Sequence, residues 1–290
     1  MLEIETLSAL DHCIWLGRQI EAAKSLHTSQ STISRNLKKA QDTLASIGIV
    51  DEISAKGELV DDDQILRSQR RIHQLIRFKQ AKGMRIQATC WARQLLLEPL
   101  PEAWIANKGD LGNFMHRKTL HLLNQHIIDA ALVSTPEAPE ANDRRYTRFH
   151  LSNQPLFLLI PNSNELSKET GLSASEVAEC TRLGHSGFVS PECRAVMQRI
   201  DESLFGEQSE NFASSFKEPP NHARRYGTAM TMLIRPDLAR LEHQLNYPAG
   251  DILVVKRELA DHPEILKLLK ELTERIQRFQ AVIPGLEVLC

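Results

Sequence analysis

The sequence predicts a multidomain α+β protein: a helical N-terminal unit, one long connecting helix and a C-terminal α/β unit. Three observations carry this. The 290 residues are enough for two or more folding units, each with its own core. Apolar residues recur at helical spacing up to about residue 82, and from Met84 the texture changes to short apolar runs separated by helical segments. Close to the N-terminus, the stretch AAKSLHTSQSTISRNLKKAQDTL (Ala22–Leu44) reads as a small-residue helix, a polar turn and a second helix.

Leu7, Leu10, Ile14 and Trp15 place a first helix at about 6–20. IEAAKSLH follows as a short second helix with an inner face of Ile20, Ala23 and Leu26, its alanines allowing close helix contact. Thr28 and Ser29 can cap the third helix, with Ser29 the better placed. Ile33, Leu37, Ala40 and Leu44 then form one apolar stripe. Ser31, Arg35 and Lys38 point away from it, with Ser34 on its flank and Lys39 nearby. Direct reading of DNA needs side chains that reach base edges: Gln30 suits adenine and Arg35 guanine, each at about 1–3 kcal/mol of discrimination. Ser31, Ser34 and Lys38 suit phosphates and positioning, and the capping residues Thr28 and Ser29 complete the candidate DNA-binding set. The competing reading is a solvated outer face on a structural helical hairpin.

Residues 46–60 are irregular, with Gly48 and Gly57 as breakers. Asp61–Asp63 open a long helix to about Lys82, acidic at its start and basic towards its end, as the helix dipole favours. Ile65, Ile72 and Leu75 repeat at near-heptad spacing, so this helix can pair with a second copy of itself. Downstream, MRIQATC, IIDAALVS, QPLFLLIPN and DILVVKRE read as strands. ARQLLLEPLPEAWIAN reads as a proline-interrupted helix, SASEVAE as a helix start, and HPEILKLLKELTERIQRF as a helix with Pro263 in its first turn. That alternation predicts a mostly parallel sheet.

The net charge of −2 hides a local contrast. Residues 1–63 carry 6 basic and 11 acidic side chains, whereas 64–85 carry 7 basic and none acidic. This is weak support for nucleic-acid binding. Five scattered cysteines with no C-x-x-C pair argue against a disulfide framework or structural zinc and fit a reducing cytoplasm. No secretory signal and no apolar run long enough for a bilayer are visible. H-E-x-x-H, G-x-S-x-G and P-loop motifs are absent, so an enzyme is disfavoured and no cofactor or metal is expected. His121, His126 and Asp129 read as surface or capping residues.

With these segments in order, the sequence resembles the LysR-type bacterial transcriptional regulators. Ser29, Gln30, Ser34 and Arg35 match the family's Ser-Gln-x-x-x-Ser-Arg recognition helix. ISAKGELV is similar to the segment entering its linker helix. MRIQATCWARQLLLEPLPEAW, HIIDAALVS, QPLFLLIPNSNELS and GHSGFVSPECRAV follow in the family's order along nearly the whole chain. The resemblance implies a winged helix-turn-helix at 1–60 (helix-turn-helix 17–36, DNA contacts over 17–44) and a dimerising linker at 61–83. It also implies a two-lobed effector-binding domain at 84–290 resembling type 2 periplasmic binding proteins. Lobe I would take 84–153 and 256–290, and lobe II 154–255. The implied partners are double-stranded DNA, a second copy as homodimer or homotetramer, and a small effector such as an organic acid or amino acid.

Ligands of open α/β sheets sit at the carboxyl ends of parallel strands. Thr89, Cys90 and Trp91, then Ser134 and Thr135, then Ser186 and Gly187 are the loop residues the resemblance turns toward the cleft, against the alternative that they only cap helices. One departure matters: ASIGIVDEISAKGELV is shorter than the family's wing, carries Asp51 and Glu52, and has Lys56 as its only cation. Every phosphate that a wing leaves unneutralised flattens the log-log salt dependence by about one unit, which leaves open a member acting mainly through protein partners. Cys180 and Cys193 raise a redox-sensing alternative, although Ser186 stands where the reactive cysteine of such sensors would be.

Overall fold

The computed structural model describes residues 1–47, 64–107, 116–169, 171–173, 176–177, 182–183, 195, 198–200, 202–204, 212–213 and 225–289. The N-terminal unit is α1 (Ile4–Leu16), α2 (Gln19–Ser25) and α3 (Gln30–Ser46). α1 stops four residues earlier than the periodicity suggests because Gly17 takes a left-handed φ of 72°, its N–H bonding Cys13 O. Ala9, Ala22, Ala23 and Ile33 form the small core at which the three helices meet. Ile20, expected on the inner face of α2, is instead 47% exposed. With Arg18 as N-cap, the adjacent alanines Ala22 and Ala23 occupy the inner side and Ile20 turns outward.

The connecting helix α4 (Gln64–Gln80) buries Gln69, Arg70, Gln74 and Phe78 and leaves Ile65, Ile72 and Leu75 more than half exposed. It leads into β1 (Met84–Ala88), α5 (Cys90–Leu96) and β2 (Trp104–Ala106). The proline-interrupted helix expected here therefore ends at Leu96. Beyond Pro99 and Pro101, Trp104–Ala106 pairs in parallel with Met84–Ile86, because prolines cannot continue the helical ladder and Trp-Ile suits a strand. Next come α6 (His116–Asn124), β3 (Ala130–Ser134), β4 (Tyr146–His150) and the long β5 (Ser152–Pro161).

The chain then forms the short β6 (Arg182–Leu183), β7 (Phe212–Ala213) and β8 (Arg225–Gly227), followed by α7 (Ala229–Ile234) and β9 (Leu238–Ala249). It closes with β10 (Asp251–Lys256), α8 (Pro263–Gln280) and β11 (Glu287–Val288). Lobe I is the sheet β2-β1-β3-β10-β4, parallel except for β10. Lobe II contains β5 with antiparallel neighbours β8 and β9, so the mostly parallel expectation fails there among the described residues.

Two strands cross between the lobes. The outward crossing runs from β4 through Leu151 into β5, and the return runs from β9 through Gly250 into β10. The return thus falls at 250 rather than 255, with all of DILVVK in the lobe I sheet. At this crossing a Cβ on Gly250 would collide with the Ser152 carbonyl, so only glycine lets the strands touch.

α8 lays Ile265, Leu268, Leu272 and Ile276 on one face of the lobe I sheet together with α5. The opposite face is covered by α6 and, unexpectedly, by α1. Leu7, Leu10, Ile14 and Trp15 share a single core with Leu123, Ile127, Val133 and Val254. α1 is therefore buried on two sides, against its own helix-turn-helix and against the lobe I sheet.

Candidate nucleic-acid interface and effector cleft

At the start of α3, Ser29 is the N-cap, its Oγ accepting from Thr32 N at 3.1 Å and lying 2.8 Å from Ser31 Oγ and 2.9 Å from Thr32 Oγ1. Arg35 Nη2 donates to Thr32 Oγ1 at 3.3 Å, which aligns the guanidinium along the helix. Thr28, Ser29, Gln30, Ser31, Ser34, Arg35 and Lys38 are all exposed, while Ile33, Ala40 and Leu44 behind them are buried and Leu37 is half-buried. The structure brings the seven candidates onto one outward surface. Lys39 turns from that surface to Glu3, 2.7 Å away. The wing segment with Asp51, Glu52 and Lys56 lies outside the described residues, as does Asp61–Asp63.

Behind this surface a buried polar joint fixes the helix-turn-helix to the rest of the chain. Arg70 of α4 donates Nε to Asp11 of α1 at 2.7 Å and Nη1 to Gln125 Oε1 at 3.3 Å. Arg85 of β1 approaches the same Asp11 at 3.5 Å and donates to Ile127 O at 2.9 Å. Asp129 receives Arg77 Nε and Nη2 at 3.0 and 2.7 Å, Gln74 Nε2 at 2.9 Å and the Arg85 backbone N–H at 2.8 Å. Gln69 holds the Leu2 backbone through both its N–H and its carbonyl.

Asp129 and His126 are thus buried, correcting their reading as surface or capping residues: the three arginines need buried anions, and Asp129 supplies one. Three guanidiniums against two carboxylates leave an excess of positive charge. Burial and Arg77 accordingly draw Arg85 down to about 10, and burial with Arg85 holds the His12 imidazole well below its usual range. Burial, helped by Lys256 and two arginines, lowers His126 to about 4.

Of the residues expected at the effector cleft, Thr89 is buried and caps α5, Oγ1 accepting from Ala92 N at 3.4 Å. Ser134 N donates to Glu137 Oε2 at 3.4 Å, and Thr135 Oγ1 donates to Gly250 O at 3.2 Å, tying the end of β3 to the crossing strands. The Thr89 and Thr135 hydroxyls therefore have structural partners of their own. Trp91 is half-buried and hydrogen-bonded to Asp251 at the start of β10. Asp251 also accepts from Ser152 Oγ at 3.1 Å, and its N–H donates back to that oxygen at 3.0 Å. Burial pushes the Asp251 carboxyl up to about 6.

Cys90 opens α5. Ser186 and Gly187 lie outside the described residues, as do Cys180 and Cys193. Cys13 is half-buried with its thiol pushed up to about 11 by burial, the opposite of a reactive thiolate. Asp251 was missed from the sequence because it sits at the head of a strand read only for its apolar run. Gly250 beside it was the available signal of a close backbone approach.

A three-helix N-terminal unit, a connecting helix and two α/β lobes joined by two crossing strands make up the fold of LysR-type regulators. CbnR, a LysR family transcriptional regulator, has a crystal structure that superposes on 95% of this chain and 98% of its own, with a TM-score of 0.52 at 16% identity. Full-length CbnR complexed with its target DNA covers 94% of this chain and 99% of its own, at 0.51 and 15%. No protein-family model matches the sequence, and no curated protein matches it.

Proposed function

We propose that this protein is a sequence-specific DNA-binding transcriptional regulator of the LysR type, controlled by a small molecule held between its two lobes. The observation that carries the reading is the outward face of α3. Gln30, Ser31, Ser34, Arg35 and Lys38 are exposed on a helix braced by buried Ile33, Ala40 and Leu44. Arg35 and Gln30 have the planar, bidentate chemistry that reads guanine and adenine, and the hydroxyls and Lys38 suit phosphates. CbnR, which shares the fold, has been crystallised on its target DNA.

The exposed stripe Ile65, Ile72 and Leu75 on α4 supports pairing with a second copy, as dimer or tetramer, and a twofold dimer reads an interrupted inverted repeat. Thr89, Trp91, Ser134 and Thr135, joined by Asp251, form the effector cleft. No helix among the described residues is long and apolar enough to cross a membrane, and we place the protein in the cytoplasm as a binding protein rather than a catalyst. The mechanism is a population shift in which effector favours one lobe angle. Because α1 shares its core with lobe I, the helix-turn-helix follows lobe I as a unit.

The testing experiment is a mobility or anisotropy titration on duplex from the protein's own promoter region. The reading predicts a preferred site whose affinity falls when Arg35 is replaced by Ala, mainly at one base position. Equal loss across all sequences removes the base-reading role.

A further inference from the structure

Thr32 is not one of the candidate DNA-facing residues, yet it is what holds the most informative of them. Its Oγ1, 3.3 Å from Nη2, is the only partner of the Arg35 guanidinium among the described residues. A helix sets four positions beside Arg35, and here they are Ser31, Thr32, Lys38 and Lys39. Two are hydroxyls, two are cations and none is a carboxylate. Side chains of a helix lean toward its N-terminus, so the guanidinium comes to rest by the hydroxyls rather than by the lysines. A neutral anchor holds the charge in place without cancelling it.

Thr32 is itself held. It is half-buried, and its β-branch restricts χ1 in a helix. Its Oγ1 lies 2.9 Å from Ser29 Oγ, which is in turn 2.8 Å from Ser31 Oγ. The direction of these bonds follows from the charge at one end. A guanidinium only donates, so Arg35 occupies a lone pair of Thr32 and makes that hydroxyl a better donor to Ser29. Ser29, which also accepts from Thr32 N, then donates to Ser31. The line therefore runs from Arg35 through Thr32 and Ser29 to Ser31, with each donor matched to an acceptor. Whichever Nη2 hydrogen Thr32 takes, one two-donor edge of the guanidinium stays free. Bidentate reading of guanine needs such an edge.

We propose that Thr32 is a positioning residue for specificity, holding Arg35 in a base-reading pose before DNA arrives. A long side chain loses rotamer freedom when it is fixed on a base, and a pose set in advance lowers that cost. The role in specificity rests on the function proposed above; the fixing of Arg35 in the free protein does not.

The test compares two variants of the full chain. Thr32→Val keeps the β-branch and the backbone N–H that Ser29 caps, and Thr32→Ser keeps the oxygen. Without DNA, NMR relaxation of the Arg35 Nε–H, assigned with Arg35→Ala, should report a rigid group in wild type and Thr32→Ser and a mobile one in Thr32→Val. On promoter duplex, Thr32→Val should weaken the preferred site about threefold to tenfold. The loss should fall on the base pair whose identity ceases to matter in Arg35→Ala, with the salt slope unchanged. In the Arg35→Ala background Thr32→Val should cost nothing more. A mobile Arg35 in wild type, full affinity in Thr32→Val, or an equal loss in the Arg35→Ala background would each overturn the proposal. An Arg35 fixed by Thr32 in a protein that prefers no site would overturn the base-reading function itself, and the role in specificity with it.

Discussion

Arg70 of α4 and Asp11 of α1 form an ion pair with Nε 2.7 Å from Oδ1, at side-chain exposures of only 3% and 1%. The pair sits where three parts of the chain converge, since Arg85 of lobe I reaches the same carboxylate. Its consequence is geometric: the helix-turn-helix is seated on lobe I rather than tethered to it.

Removing one partner of a buried pair strands the other charge. Asp11→Ala should therefore lower stability by about 3–5 kcal/mol in urea unfolding. The double variant with Arg70→Ala should cost clearly less than the sum of the singles. Additive losses would show that the pair is not coupled.

The exposed positions on α3 should behave differently. Arg35→Ala should leave the unfolding midpoint almost unchanged while costing about 1–3 kcal/mol at one base pair of the site. Lys38→Ala should weaken all sequences alike and reduce the log-log salt slope by about 0.9. A panel of single-base operator variants measured at three salt concentrations separates the two behaviours.

Asp251 predicts a pH dependence with a definite sign. Its carboxyl is raised from the ordinary 3.8 to about 6, so between those values the folded chain holds a proton that the unfolded chain has released. The destabilisation from Asp251 therefore grows as pH rises from 4 to 6 and is constant above. Relative to wild type, Asp251→Asn should gain about 3 kcal/mol across that window and then level off. Unfolding curves at pH 4.5, 5.5, 7 and 8 check this, and a flat difference contradicts it.

His126 should act with the opposite slope. Its imidazole is lowered from 6.5 to about 4, so the unfolded chain takes up a proton below 6.5 that the folded chain refuses. Stability is lost as pH falls through that window, and His126→Gln should gain on wild type as the solution is acidified. The same unfolding series reads both residues.

The stripe on α4 predicts the assembly. Ile72→Glu places a charge at the centre of the exposed apolar row and should weaken self-association by about two orders of magnitude, with the monomer still folded. Sedimentation at several concentrations measures it, and an unchanged mass would move the interface elsewhere.

Much of the architecture was legible because periodicity reports burial on one face. The stripe Ile33–Leu37–Ala40–Leu44 placed α3 and its polar side, Ser29 announced the cap, and Pro263 announced the start of α8. Ile20 misled because helical spacing alone does not say which of two adjacent faces meets a neighbour. Trp104–Ala106 misled because a three-residue strand has too short a period to distinguish from a broken helix.

The joint was illegible for a deeper reason. Asp11, Arg70, Asp129 and Arg77 are charged residues far apart in sequence, and each reads as surface until its partner is known. Asp251 and Trp91 belong to the same category, meeting only because two strands cross at Gly250.

The central claim is that the outer edge of α3 reads duplex DNA. Its most direct measurement is a salt titration of wild type and the Gln30→Ala, Arg35→Ala pair on promoter duplex beside a scrambled duplex of equal length. The account predicts preferred binding of the promoter duplex with a steep negative salt slope, and loss of that preference in the double variant. Equal affinity for both duplexes by wild type, or no binding even at low salt, would contradict it.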